Sequence, residues 1–181
     1  MTEISHENLS LRDIFSESSK LIKVGKDAGV TIATAESCTG GLIGAAITAI
    51  DGSSAIFKGG VIAYANEVKV ESLGVSHEDL KAYGAVSESV CLDMAKGVLS
   101  RLSVDVAVSV TGIAGPNGGT KDKPVGTVWM GLAWHEDSHV KTSAHLYNFG
   151  NIGRNKVRDM TCYKALIQLQ KIISNLQSSK A

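Results

Sequence analysis

Leu11, Ile14, Phe15, Leu21 and Ile22 recur at helical spacing ahead of Gly29, which predicts an opening amphipathic helix ending near Ala28. The apolar residues 30–34 read as a short strand, polar 36–41 as a turn and 42–50 as an apolar helix. Ser37 and its neighbours therefore fall on a strand-to-helix turn. After the turn signal Asp51-Gly52-Ser53-Ser54, residues 60–64 read as a strand and 66–73 as a short helix carrying Lys69. Val90, Met94, Val98 and Leu102, preceded by Ser87 and Glu88, mark a longer helix entered at Ser87.

Residues 104–110 are expected as a buried strand, and the glycine-rich stretch 111–124, bounded by Pro124, as a loop. Residues 125–134 and 140–149 then read as an antiparallel pair joined across 135–139. A last helix places Val157, Met160, Tyr163, Leu166, Leu169, Ile173 and Leu176 on one side, and residues 177–181 are expected to fray. Helices alternating with strands, followed by a strand pair, imply an α/β fold: an α/β/α sandwich with a mixed sheet.

At 181 residues the chain has length for one buried core rather than two independent domains, so one domain over 1–181 is expected, its core at about 10–176. No run approaches the roughly 18 uninterrupted apolar residues of a membrane span, and no membrane partner is expected. Eighteen basic residues against eighteen acidic ones leave no net charge, which gives no broad surface for nucleic acid. The polar start, residues 1–8, lacks the basic and apolar regions of a secretory leader and suggests a cytoplasmic protein. Cys38, Cys91 and Cys162 lack paired spacing, and His6, His77, His135, His139 and His145 lack metal-ligand spacing. Neither a disulfide framework nor a metal or other cofactor is expected.

Four segments carry candidate chemistry. Ala35-Glu36-Ser37-Cys38-Thr39-Gly40-Gly41 sits where a strand's end exposes side chains and a helix start leaves N–H groups free for an anion. Ser37 or Thr39 either caps that helix, with Gly40 and Gly41 making the turn, or Ser37 is a nucleophile; Cys38 is packing or a rival nucleophile. In Tyr64-Ala65-Asn66-Glu67-Val68-Lys69, Lys69 serves a serine as base only if burial or a neighbouring positive charge lowers its pKa from about 10.4 toward neutrality; otherwise it is a solvated surface cation. Tyr64 is a candidate to relay a proton or orient that amine.

The third segment, Thr111-Gly112-Ile113-Ala114-Gly115-Pro116, allows backbone amides to approach a phosphate or an oxyanion, or is a plain surface loop. It has neither the lysine ending of a triphosphate loop nor a dinucleotide fingerprint. Arg154 and Arg158, one helical turn apart, either hold a phosphate together or lie solvated on an exposed face.

Read in order, these segments, with Gly84-Ala85-Val86-Ser87-Glu88 and Lys123-Pro124-Val125-Gly126-Thr127-Val128, resemble the CinA C-terminal domain family, whose stand-alone members are nicotinamide-nucleotide amidases. The resemblance runs from about Ala35 to Arg158. It implies hydrolysis of the carboxamide of nicotinamide mononucleotide to nicotinic acid mononucleotide and ammonia, with Ser37, Lys69 and Tyr64 as catalytic residues and no cofactor. Thr39, Gly40, Gly41, Asn66, Thr111, Gly112, Ala114, Gly115 and Arg154 are the expected substrate contacts. Ala65 stands where the family usually has a small hydroxyl residue, and the segment before Arg154 is one residue longer than its common form. Larger CinA proteins add a pyrophosphatase-type domain for which this chain has no room, so that activity is expected to be absent. The expected partner is a small nucleotide, and a homodimer is expected. Two other readings are a nucleotide-binding module without catalysis and a serine–lysine amidase of another substrate.

Overall fold

The structure is a computed structural model that describes residue 5 and residues 8–178. The end expected to fray is helical at Gln177 and Ser178, while residues 179–181 lie outside the described residues, as do His6 and most of the polar start. The elements, in chain order, are α1 (Leu11–Ala28), β1 (Ile32–Glu36), α2 (Leu42–Thr48), β2 (Phe57–Ile62), α3 (Asn66–Leu73), α4 (His77–Tyr83), α5 (Glu88–Arg101), β3 (Val106–Gly112), β4 (Thr127–Glu136), β5 (His139–Asn148) and α6 (Arg154–Ser178). One sheet of order β2-β1-β3-β4-β5 has its first three strands parallel, with β4 antiparallel to both of its neighbours, β3 and β5. This is the mixed sheet of the predicted α/β/α sandwich.

The two-residue period of the strands builds two unlike faces. Ile32, Val106, Val108, Val110, Val128, Met130 and Leu132 turn large side chains toward α1, α2 and α6, where they meet the α6 residues Val157, Leu166, Leu169 and Ile173. Ala33, Ala35, Ala107 and Ala133 turn small ones toward α3 and α5. Small side chains let α5 lie close: a Cβ on Gly131 would collide with the Cys91 carbonyl, and Ser109 donates a hydrogen bond to that same oxygen. Gly97 likewise lets α5 press against the Leu73 carbonyl at the end of α3.

Several boundaries move, each for a physical reason. β1 and β3 start two residues later than the apolar runs suggest, because Thr31 donates from its N–H and hydroxyl to Asp105 (2.7 and 2.6 Å) and this clip occupies the approach to both strands. β2 begins at Phe57 and stops at Ile62, two residues short of Tyr64. α2 ends at Thr48, and β4 starts only after Gly126, which takes a positive φ of 92°. Thr111 and Gly112, expected in the loop, are the last residues of β3. The hairpin turn is only Asp137-Ser138, both with φ > 0, so β4 and β5 run through residues expected to connect them.

α4 escapes the apolar pattern because it buries no side chain; its signal is the cap, Ser76 accepting from the Asp79 N–H. Ser87 occupies the cap position of α5, yet its hydroxyl donates to the Gly84 carbonyl instead of capping. No helix among the described residues is long and apolar enough to cross a membrane.

Candidate active site

β1 ends on Glu36, and its side chain decides the turn that follows. The carboxylate is buried against the start of α2, accepting from the Thr39 hydroxyl (2.7 Å) and the N–H groups of Gly41 (3.0 Å), Ile43 (3.1 Å) and Gly44 (2.8 Å), with the Thr34 hydroxyl at 3.3 Å. N–H groups that a helix start leaves unpaired are thus taken by an anion from the preceding strand. Ser37 comes next, tied by its N–H to the Val110 carbonyl (3.0 Å).

The parallel pairing of β1 with β2 continues one step, Ala63 N–H to Glu36 carbonyl at 2.8 Å, and brings the chain at Ala63 and Tyr64 beside Ser37. α3 then turns Lys69 inward, where it is 1% exposed. Its Nζ donates to the carbonyls of Ala63 (2.8 Å) and Tyr64 (3.1 Å) and lies 3.1 Å from Ser37 Oγ. Lys69 has no ion pair among the described residues. Burial pushes its pKa below the ordinary 10.5, against a weaker upward pull from Cys38 and Glu67. A neutral amine has two N–H groups and one lone pair. In that form the two carbonyls would take both N–H groups and the lone pair would face the Ser37 hydroxyl.

Ser37 and Lys69 open into a cavity of 210 Å³, whose walls include Tyr64, Asn66, Thr111, Gly112, Ala114 and Arg154. Of the residues expected at the site, these eight meet; Thr39, Gly40, Gly41 and Gly115 do not line it. Thr39 is fully buried with its hydroxyl on Glu36, the Gly41 N–H is spent on the same carboxylate, and the Gly40 N–H returns to the Ser37 carbonyl (3.1 Å). The Gly115 carbonyl accepts from Arg154 Nη1 (3.0 Å), supporting a wall rather than facing the cavity. On this turn the N–H groups of Cys38 and Thr39 donate to no acceptor among the described residues.

Tyr64 orients the amine through its main-chain carbonyl. The residue is 62% exposed, and its phenol accepts from Arg154 Nη2 (3.2 Å) instead of meeting Lys69. Arg158 does not join Arg154 in a clamp, because its Nη2 donates to the Thr39 carbonyl (2.8 Å) and braces the turn. Cys38 is buried and desolvation pushes its thiol up to about 12, which leaves it protonated and unreactive at neutral pH. Cavity residues Ala85 and Val86 carry no reactive group, so residue chemistry gave no reason to single them out; their signal was the Gly84–Glu88 motif. Glu36 was legible only as an acid beside the serine. No group of histidine, cysteine and carboxylate side chains among the described residues is arranged to hold a metal.

The model of the CinA C-terminal domain matches residues 16–173. The chain belongs to the CinA C-terminal domain family. Similar CinA relatives include a protein of Halothermothrix orenii named for competence-damage induction, 56% identical over 145 residues, or 80% of this chain and 34% of the relative. A CinA-like protein of Trichormus variabilis is 50% identical over 147 residues, 81% of this chain and 35% of the relative. The chain spans about a third of the length of these curated relatives. Among solved structures, the competence/damage inducible protein CihA of Agrobacterium tumefaciens is 42% identical, with a TM-score of 0.83 over 87% of this CinA domain and 93% of that chain.

Proposed function

We propose that this CinA domain hydrolyses the carboxamide of nicotinamide mononucleotide, giving nicotinic acid mononucleotide and ammonia. The observation that carries the reading is Lys69: an amine buried without an ion-pair partner among the described residues, held by two carbonyls, 3.1 Å from a serine hydroxyl on the lining of a cavity. Neutral Lys69 accepts the Ser37 proton as Ser37 Oγ attacks the carboxamide carbon. The N–H groups of Cys38 and Thr39 receive the oxyanion in this reading. Losing one such donor typically costs about 10²–10³ in rate.

The tetrahedral intermediate collapses as Lys69 returns its proton to the departing nitrogen, releasing ammonia and leaving an acyl ester on Ser37. Water, deprotonated by the same amine, hydrolyses that ester and restores Ser37. A module that only bound nucleotide would have no use for an uncompensated amine in its core, which costs free energy at neutral pH. The test is ammonia release from nicotinamide mononucleotide, nicotinamide riboside and glutamine by the wild type, Ser37→Ala and Lys69→Met. Mononucleotide turnover that both variants abolish supports the reading. Binding without turnover overturns it in favour of the binding module, and preference for glutamine overturns the substrate.

A further inference from the structure

The 210 Å³ cavity at Ser37 takes the reacting carboxamide and its ring in this reading, and the sugar and phosphate extend from it along the neighbouring surface. One wall residue, Val86, also lines a larger groove of 720 Å³ between α4, the start of α5 and β4. Other sizeable cavities, of 470 and 560 Å³, share no residue with the Ser37 site.

We infer that this groove is the phosphoribosyl subsite of the substrate, with Lys123 and the start of α5 receiving the phosphate. The assignment rests on the amidase reading for its choice of ligand. Lys123 is half-buried and has no ion pair among the described residues; one of its three N–H bonds goes to the Tyr83 carbonyl (2.6 Å), which fixes the ammonium over the groove and leaves two donors. α5 is 14 residues long and its first-turn N–H groups have no side-chain cap, because the Ser87 hydroxyl has turned to Gly84. The Ser89 hydroxyl, on the same lining, is buried with no hydrogen-bond partner among the described residues. Trp129 and Tyr83 supply flat apolar walls for the face of a sugar. Arg154, the other cation nearby, has two N–H groups spent on Gly115 and Tyr64 and lines the reacting cavity itself.

Glu88 is the one acid on the groove lining, and it opposes a phosphate there. The charges therefore act with opposite signs, which gives the test its direction. The readout is kcat/KM for nicotinamide mononucleotide divided by that for nicotinamide riboside, compared among wild type, Lys123→Gln, Glu88→Gln and Arg154→Gln. Glutamine at 123 keeps a donor for the Tyr83 carbonyl while removing the charge. Lys123→Gln is expected to lower the ratio by about ten-fold or more, through KM, as for loss of one charged hydrogen bond, and Glu88→Gln to raise it. An unchanged ratio in Lys123→Gln, or a loss confined to Arg154→Gln, overturns the assignment.

If no amide is turned over, calorimetric titration with nicotinic acid mononucleotide still decides the subsite. Binding that weakens in Lys123→Gln upholds it while the amidase reading falls. Binding that ignores Lys123, or no binding, overturns it.

Discussion

Glu36 and Lys69 are both ionisable side chains buried at 1% exposure around the same turn, and the fold treats them in opposite ways. Every neighbour of the Glu36 carboxylate is a donor: two hydroxyls and three N–H groups at a helix start, the electrostatic partner an anion prefers. Lys69 instead has two carbonyls and a serine, and no carboxylate partner among the described residues. A buried charge that is matched holds structure together, whereas an amine buried without its counter-charge is driven toward the neutral, basic form. The first residue shapes the turn, and the second is the base of the proposed reaction.

The largest expected effect breaks the chemistry without the fold. Lys69→Met and Ser37→Ala should each lower ammonia release by about 10⁴-fold or more, and the double variant should be little worse than either, since base and nucleophile act as one unit. Unchanged circular dichroism with lost turnover is the expected pair of measurements. Glu36→Ala is the converse: it orphans buried N–H groups and a hydroxyl, each worth about 1–3 kcal/mol, so urea unfolding should show a loss of about 3 kcal/mol or more. If Glu36→Ala is as stable as wild type, the contrast between the two residues collapses.

Titration sharpens the same contrast. The Lys69 pKa is lowered in the folded protein by burial, so kcat/KM should rise with pH along a limb lying below 10.5, as the amine becomes neutral. Stability follows from the same shift. Below the folded-state pKa both states hold the proton and Lys69 imposes a constant penalty; between that pKa and 10.5 only the unfolded chain holds it, so stability rises with pH. Above 10.5 the penalty is gone. The unfolding free energy of wild type minus that of Lys69→Met should therefore increase with pH across this window, whatever constant offset the two orphaned carbonyls add.

Smaller effects separate main chain from side chain. Tyr64→Phe keeps the carbonyl that holds Lys69 and loses only the contact with Arg154, so a drop of no more than about ten-fold is expected, the scale of one hydrogen bond. A loss as large as that of Lys69→Met would show that the phenol, not the carbonyl, serves the base. Cys38→Ala should change turnover least, within about three-fold, given a thiol held protonated by burial.

Periodicity made the outline of the fold legible. The α6 stripe is buried at every position the pattern chose, from Val157 to Leu176, and α1 ends at Ala28 as expected, with Gly29 capping it in the left-handed conformation. Patterns failed where a long-range bond, not burial, sets the boundary, as with the Thr31–Asp105 clip, and at α4, which buries no side chain. At the site, Ser37 on a strand-to-helix turn was readable from local order alone.

By itself the sequence determined the layers of this protein, because alternating and helical periods are local properties that any packing must respect. It also determined the family, through motifs whose order along the chain survives without coordinates. Tertiary structure alone decided which residues of those motifs face the cavity. It turned Thr39 and Gly41 onto Glu36, and Tyr64's carbonyl rather than its phenol onto Lys69. Above all it sheltered the Lys69 amine, since burial depends on what α3, β2 and the Ser37 turn exclude together, and no spacing along one strand of text encodes that exclusion.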